Sequence, residues 1–103
     1  MPLIREIADV CKSKNAGPFE LTIDVVFRDR ELYERVLATG VLCPKLFAKL
    51  YNVAEDEVLF TPYPAANAFK ATIPRLVSGG DVGDTDVYGA QQHAPLLEVN
   101  IPI

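Results

Sequence analysis

The sequence predicts an α+β fold: a single domain with a mostly antiparallel, ferredoxin-like (split βαβ) sheet, helices on one face and a long glycine-rich crossover. Three observations predict this fold. Apolar and polar residues alternate over residues 19–28, a helical spacing follows over residues 29–51, and two more alternating segments lie within residues 58–74. The chain has 103 residues and no visible linker or repeat, so one domain is expected over residues 1–103.

The N-terminal segment LIREIADVCKS, residues 3–13, is compatible with two structures. Its apolar residues fit a helical spacing and also an even spacing, and a strand is the preferred interpretation. The overlapping segment KSKNAGPF, residues 12–19, is predicted to be a basic loop between two strands. Lys12, Lys14 and Asn15 in such a loop could hold a carboxylate or phosphate, although an ordinary solvated turn has the same composition.

The segment FELTIDVVFR, residues 19–28, has the clearest pattern in the chain. Its apolar residues recur at every second position, which is the period of a strand with one buried face. Thr22 and Asp24 fall on the other parity and are therefore expected to point away from the core.

Two helices are predicted after this strand. The first lies within DRELYERVLATG, residues 29–40, where Asp29 can cap the exposed amides and Gly40 can supply a left-handed end. Its expected apolar stripe consists of Leu32, Val36 and Leu37. The second helix is expected over residues 44–51 with Asn52 as its end.

Two further strands, VLFTPYP (residues 58–64) and NAFKATIP (residues 67–74), are predicted to form a hairpin that turns at Pro64 to Ala66. The stretch GDVGDTDVYGAQQHAP, residues 80–95, is then the crossover to a final strand, LLEVNIPI, residues 96–103. A connection of that length with little regular structure is usually functional in a compact domain.

The charge distribution excludes one class of partner. The net charge is −4, and residues 76–103 contain four carboxylates and no lysine or arginine. An acidic region without a basic stripe elsewhere argues against nucleic-acid binding. No apolar run is long enough to cross a bilayer, and no export signal is visible, so a cytoplasmic protein without a membrane partner is expected, with Cys11 and Cys43 as reduced thiols.

The crossover is the first candidate site. Its polar side chains are Asp81, Asp84, Asp86, Tyr88, Gln91, Gln92 and His93. Carboxylates, amides and an imidazole on a glycine-rich backbone could bind a polar substrate, and His93 or Asp86 could act as a general base. Asx turns that hold the loop together explain the aspartates equally well, and a metal held by Asp84, Asp86 and His93 is a further alternative with a weak signal.

The second candidate is the polar face of the sheet, which is also the expected wet side of any antiparallel sheet. Its residues are Thr22, Asp24, Asn67, Lys70, Thr72 and Arg75. If the crossover folds over this face, the two candidates form the floor and roof of one cleft.

Three segments, SKNAGPFELTIDVVF, NAFKATIPR and GDTDVYGAQQHAPLLEV, resemble the signatures of a bacterial family catalogued as a domain of unknown function, number 4387 in its series. The order of motifs is also similar, more distantly, to the ferredoxin-like domain of AtuA proteins of acyclic terpene utilisation. The resemblance implies a small protein encoded beside a larger AtuA-like protein, in neighbourhoods of organic-acid or acyl-CoA catabolism. The resemblance does not identify a cofactor or a reaction.

The family's motif positions coincide with the candidates above. They include Ser13, Lys14, Asn15, Gly17, Thr22, Asp24, Asn67, Lys70, Thr72, Arg75, Asp84, Asp86, Tyr88, Gly89, Gln91, Gln92 and His93. The leading hypothesis is an accessory subunit that assembles with the larger partner and helps to form a site for a carboxylate or acyl-CoA metabolite. The alternatives are a stand-alone homo-oligomeric lyase or isomerase acting on a hydroxy acid, and a purely structural oligomerisation module.

Overall fold

The computed structural model describes residues 2–17, 19–74 and 94–103, which form an antiparallel sheet with helices packed on one side. The strands are β1 (Val10–Gly17), β2 (Glu20–Val26), β3 (Leu59–Tyr63) and β4 (Ala68–Pro74). The helices are α1 (Ile4–Ile7), α2 (Arg30–Thr39), α3 (Pro44–Tyr51) and α4 (Ala94–Leu97). Short 3₁₀ turns occupy Glu55–Glu57 and Pro64–Ala66. This confirms the α+β class.

The sheet has the order β1-β2-β4-β3, and each neighbouring pair is antiparallel. β2 and β3 are therefore parallel to each other with β4 between them, and α2 and α3 connect them. This part is a split βαβ unit. β1 pairs with β2 and occupies the edge of the sheet beside it.

The predicted helices and hairpin are confirmed, and their ends follow the sequence signals. The Asp29 side chain accepts a hydrogen bond of 2.8 Å from the Leu32 amide at the start of α2. Gly40 ends this helix with φ +69°, and Asn52 ends α3 with φ 56°, both in the left-handed region. The turn of the β3–β4 hairpin ends at Asn67, which is also left-handed, with φ 53°.

The strand preferred for the N-terminal segment is correct only from Val10 onward, because residues 4–7 form α1. The Leu3 amide donates to the Glu6 carboxylate at 2.8 Å, a local contact that holds this single turn. The basic loop predicted over residues 12–19 is wrong for residues 12–17, which lie in β1. Lys12, Lys14 and Asn15 are thus strand residues with cross-strand partners in β2.

The final strand predicted over residues 96–103 is also wrong. Residues 94–97 form α4, and the only pairing in the following described residues is an isolated antiparallel bridge between Leu3 and Asn100. The Ile4 amide donates to the Val99 carbonyl at 2.9 Å. A complete ferredoxin-like order would need a strand after the crossover beside β2, and that place is held by β1.

The core lies between the sheet and the helices. One face of β2 and β4 contributes buried apolar side chains at every second position, and α2 and α3 cover them. The buried side chains of these four elements include Leu21, Ile23, Val25, Phe69, Ile73, Leu32, Tyr33, Val36 and Phe47. On α2, Leu32 and Val36 are buried as predicted, but Leu37 is 43% exposed, and Tyr33 is the third buried residue of the stripe.

Candidate binding site on the sheet

The strand residues of opposite parity form the second face of the sheet, directed away from the core. We call this surface the lysine face. Its residues are Val10, Lys12 and Lys14 of β1, Glu20, Thr22, Asp24 and Val26 of β2, Ala68, Lys70, Thr72 and Pro74 of β4, and Leu59, Thr61 and Tyr63 of β3. The register aligns these residues in rows that run across the strands.

The charged row lies in the middle of the lysine face. Asp24 is directly opposite Lys12 on one side and Lys70 on the other, and Thr61 follows beyond Lys70. Directly opposite side chains in an antiparallel pair have Cβ atoms about 4.5–5.5 Å apart. Asp24 therefore lies between two lysine residues that come from different strands.

The hydroxyl row is the next one along the strands. Thr22 lies between Lys14 and Thr72, and the Oγ1 atoms of the two threonines are 3.4 Å apart. Thr22 is only 4% exposed, whereas Lys14 is exposed. One of the two hydroxyl protons forms the hydrogen bond between the threonines. The other hydroxyl proton can be donated to a ligand.

The apolar row lies on the other side of the charged row. Val26 and Ala68 occupy the central strands, with Val10 and Tyr63 at the two edges. Ala68 is buried, but Val10 is 40% exposed and Tyr63 is 47% exposed. Leu59, at the β3 end of the hydroxyl row, is 65% exposed. The polar centre of the lysine face thus has apolar surface around it.

The lysine face is positive although the protein is acidic. It carries three lysines against the two carboxylates of Asp24 and Glu20, in a chain whose net charge is −4. Glu20 is exposed and lies four residues before Asp24 in β2, about 13 Å away along the strand. Lys12 and Lys70 are directly opposite Asp24. Glu20 is farther from that row than the distance of about 10 Å at which salt largely screens exposed charges, so Asp24 is the carboxylate that affects these two lysines most. Lys14 is in the hydroxyl row and lies one row from each carboxylate.

Four of the predicted substrate-binding residues therefore share one surface, namely Lys14, Asp24, Lys70 and Thr72. Two others lie elsewhere. Asn15 is on the core side of β1, opposite Leu21, and is half-buried. Asn67 lies at the turn before β4, where its Oδ1 accepts a hydrogen bond of 3.2 Å from Arg30 Nε.

The remaining predicted site residues lie outside the described residues. They are Arg75, Asp84, Tyr88, Gln91 and Gln92, predicted to bind substrate, and Asp86 and His93, predicted to be catalytic. The prediction that the crossover folds over the sheet, and the alternative that it binds a metal, concern the same segment and therefore also lie outside the described residues.

Sequence reasoning missed the apolar row and the inclusion of Lys12. The sequence did contain a signal for Lys12. Lys12 and Lys14 alternate with Cys11 and Ser13, so both lysines fall on the same face of a strand as Val10. That alternation indicates a strand, but the neighbouring Asn15, Gly17 and Pro18 favoured a loop. For the apolar row no signal exists in local sequence, since its members come from four separate strands.

The core side of β1 carries Cys11, which is a free thiol, as is Cys43. Burial raises the pKa of the Cys11 thiol to about 11 from 9.0. Burial also raises the pKa of the Tyr51 phenol, and the nearby Cys11 raises it further. Both groups are therefore protonated at neutral pH, and Cys11 is a poor nucleophile there.

Within the described ranges, no three side chains among histidine, cysteine, aspartate and glutamate lie close enough together to hold a metal ion. Likewise, no helix in this part of the chain has the length and apolar character that crossing a membrane requires.

Comparison with protein families shows that this chain belongs to the family described as a domain of unknown function (DUF4387), whose model matches residues 4–100. The match covers almost the whole chain and agrees with the resemblance seen in the sequence. Neither the curated proteins nor the solved structures give a match to this chain.

Proposed function

We propose that this protein is an accessory subunit that assembles with a larger AtuA-like partner and contributes one wall of a site for a carboxylate or acyl-CoA metabolite. The observation that carries the proposal is the arrangement of Lys12, Asp24 and Lys70 in one row, beside the Thr22–Thr72 pair. It supports an anionic ligand, because ammonium and hydroxyl groups are the donors that a carboxylate accepts from.

The two inner strands carry the part of the lysine face that is best suited to hold such a ligand. Thr22 and Thr72 stand on the two inner strands, where each strand is paired on both sides. Their hydroxyl oxygens lie 3.4 Å apart, and Lys70 is on the same strand as Thr72, two residues away. Donors held on paired strands lose less conformational freedom on binding than donors on a loop.

A partner is proposed because the described strands supply only one wall of a site. Ligand sites in proteins usually bury 70–90% of a small ligand, and a single sheet face cannot do this alone. The exposed side chains of Leu59, Tyr63 and Val10 around the polar centre suit contact with a second protein. The partner would then supply the opposite wall.

The first experiment is native mass spectrometry of the full chain, expressed alone and together with an AtuA-like protein. We expect a mixed complex of fixed stoichiometry in the co-expressed sample. A protein that stays monomeric, or that forms only a complex with itself, would contradict the assembly part of the proposal. A homo-oligomer with turnover of its own would instead favour the stand-alone lyase or isomerase.

The ligand part is tested by titrating carboxylates into the complex and comparing two variants with the same loss of charge. Lys70→Met removes a lysine from the charged row, and Lys45→Met removes an exposed lysine from α3 on the opposite side of the sheet. We expect Lys70→Met to weaken carboxylate binding about tenfold, as for loss of one charge-assisted hydrogen bond, and Lys45→Met to leave it unchanged. Equal affinities in both variants would contradict a site on the lysine face.

A further inference from the structure

Asp24 is the residue of the lysine face that anion binding alone does not explain. A carboxylate in the middle of the charged row repels an anionic ligand, so a surface made only for anions would not be expected to carry one there. The ion pairs found within the described residues join Arg5 to Glu98, Arg28 to Asp29 and Arg30 to Glu34. Asp24 takes part in none of these, although it lies between two lysines.

The neighbours of Asp24 define a small rectangle on the two central strands. Asp24 and Lys70 are opposite each other in one row, and Thr22 and Thr72 in the next. Rows of the same face are two residues apart, which is about 7 Å along a strand. Val26 and Ala68 form the apolar row at the same distance on the other side. Acceptor, cation, hydroxyl and apolar groups thus occur together within the reach of one small molecule.

We propose that the ligand of the lysine face is a hydroxy carboxylate with a short apolar chain. Its carboxylate accepts from Lys70 and the threonine hydroxyls, its hydroxyl donates to Asp24, and its chain lies over Val26 and Ala68 towards Tyr63. This inference rests on the proposed function, since it names the ligand class of the same site. It assigns Asp24 a role in specificity rather than in affinity for anions.

The test is a titration of the complex with the AtuA-like partner, in which only this chain is isotope-labelled, followed by backbone amide NMR. The ligands are hexanoate, 2-hydroxyhexanoate and 3-hydroxyhexanoate at up to tens of millimolar. We expect at least one of the hydroxy acids to bind at least about tenfold more tightly than hexanoate, because a hydrogen bond to an ionised acceptor contributes at least about this factor. The amides that shift should be those of β2 and β4 around Asp24 and Lys70.

Asp24→Ala and Glu20→Ala form a matched pair, since both remove one carboxylate from β2 on the same face. In Asp24→Ala, hexanoate should bind more tightly than to the original protein, because the repulsion is gone, and the preference for a hydroxyl should fall to about twofold or less, because its acceptor is gone. Glu20→Ala, about 13 Å away from Asp24, should keep the preference. The amide spectra themselves report whether each variant is folded.

The outcomes separate this inference from the proposed function. If all three acids bind equally and Lys70→Met weakens each of them, the lysine face is a carboxylate site but the hydroxy-acid inference is wrong. A preference for the hydroxy acid that survives in Asp24→Ala also overturns it. If no acid shifts the amides around Asp24 and Lys70, both the inference and the ligand part of the proposed function are wrong.

Discussion

At the scale of single residues, the hydroxyl of Tyr33 stands out in the core. Tyr33 is 1% exposed and packs against Phe69 with ring centroids 4.9 Å apart. Its hydroxyl is buried and has no hydrogen-bond partner within the described chain. An unpaired buried hydroxyl costs about 1–3 kcal/mol of desolvation.

Tyr33→Phe should therefore leave the free energy of unfolding unchanged or raise it by about 1 kcal/mol, because the unpaired group is removed and the ring is kept. Urea unfolding of the purified protein measures this. Phe69→Leu is the control, since it removes the ring contact and should destabilise by about 1–2 kcal/mol. A clear loss of stability in Tyr33→Phe would mean that the hydroxyl has a stabilising partner.

The thiol of Cys11 provides a second prediction at this scale. Because burial raises its pKa to about 11, the thiolate should appear with a midpoint well above the ordinary value of 9.0. The alkylation rate of the Cys43→Ser protein, measured from neutral to alkaline pH, follows Cys11 alone. The same protein unfolded in urea should titrate near 9.0, and an identical midpoint in the folded protein would contradict the burial of the thiol.

The sign of the linked stability change follows from the direction of the shift. The folded state favours the protonated thiol, so this contribution to stability is complete below pH 9.0 and is lost as the pH rises to about 11. Near neutral pH, Cys11 therefore contributes nothing to the pH dependence of the free energy of unfolding.

At the scale of elements, the start of α2 depends on one side chain. The Asp29 carboxylate accepts from the Leu32 amide at 2.8 Å, and its extended backbone, with φ −146°, is typical of an N-cap. Asp29→Ala should lower the free energy of unfolding by about 1 kcal/mol, whereas Asp29→Ser should keep most of it. Urea unfolding of both variants measures the difference.

Glu31→Ala is the matched control for this cap. Glu31 is an acidic residue in the same first turn, so its removal tests charge near the helix start without the cap hydrogen bond. We expect a loss of only a few tenths of a kcal/mol. Equal losses in Asp29→Ala and Glu31→Ala would show that charge, rather than the hydrogen bond, stabilises this end.

Elements with strong local signals were predicted from the sequence, and elements fixed by distant contacts were not. β2, α2, α3 and the β3–β4 hairpin have their own alternation, caps and turn residues. The final strand was predicted from the alternation of residues 97–101. Leu96 and Ile101 are instead buried in the core cluster, and no strand of the described residues pairs with this segment beyond the isolated Leu3–Asn100 bridge. Alternation indicates only that one side of a segment is buried. A segment can bury that side by packing against the core, without pairing with a strand.

At the scale of the whole molecule, the lysine face exists only because of the strand order. Lys12, Asp24 and Lys70 belong to three strands, and the order β1-β2-β4 places both lysines beside the same carboxylate. The sequence showed which residues point away from the core but not which strands are neighbours. Predicting the face as a set of residues was possible, and predicting its rows was not.

The two ends of the described chain are part of the same core, which gives a prediction at this scale. Ile4, Leu96 and Ile101 are completely buried in the main core cluster, and the Ile101 amide donates to the Pro2 carbonyl at 2.8 Å. Ile101→Ala should therefore lower the free energy of unfolding of the whole domain by about 3 kcal/mol, in one cooperative transition.

Ile103→Ala is the control, because Ile103 has the same side chain two residues later and is only partly buried. Its loss should cost about 1 kcal/mol, in proportion to the smaller area removed from water. Urea unfolding followed by far-ultraviolet circular dichroism and by tyrosine fluorescence tests whether the transition is single. If Ile101→Ala melts the terminal contacts alone and leaves the sheet at its original midpoint, these segments are appended to the domain rather than part of its core. The lysine face lies on the other side of the sheet, so folded Ile101→Ala protein should keep the carboxylate affinity of the original chain.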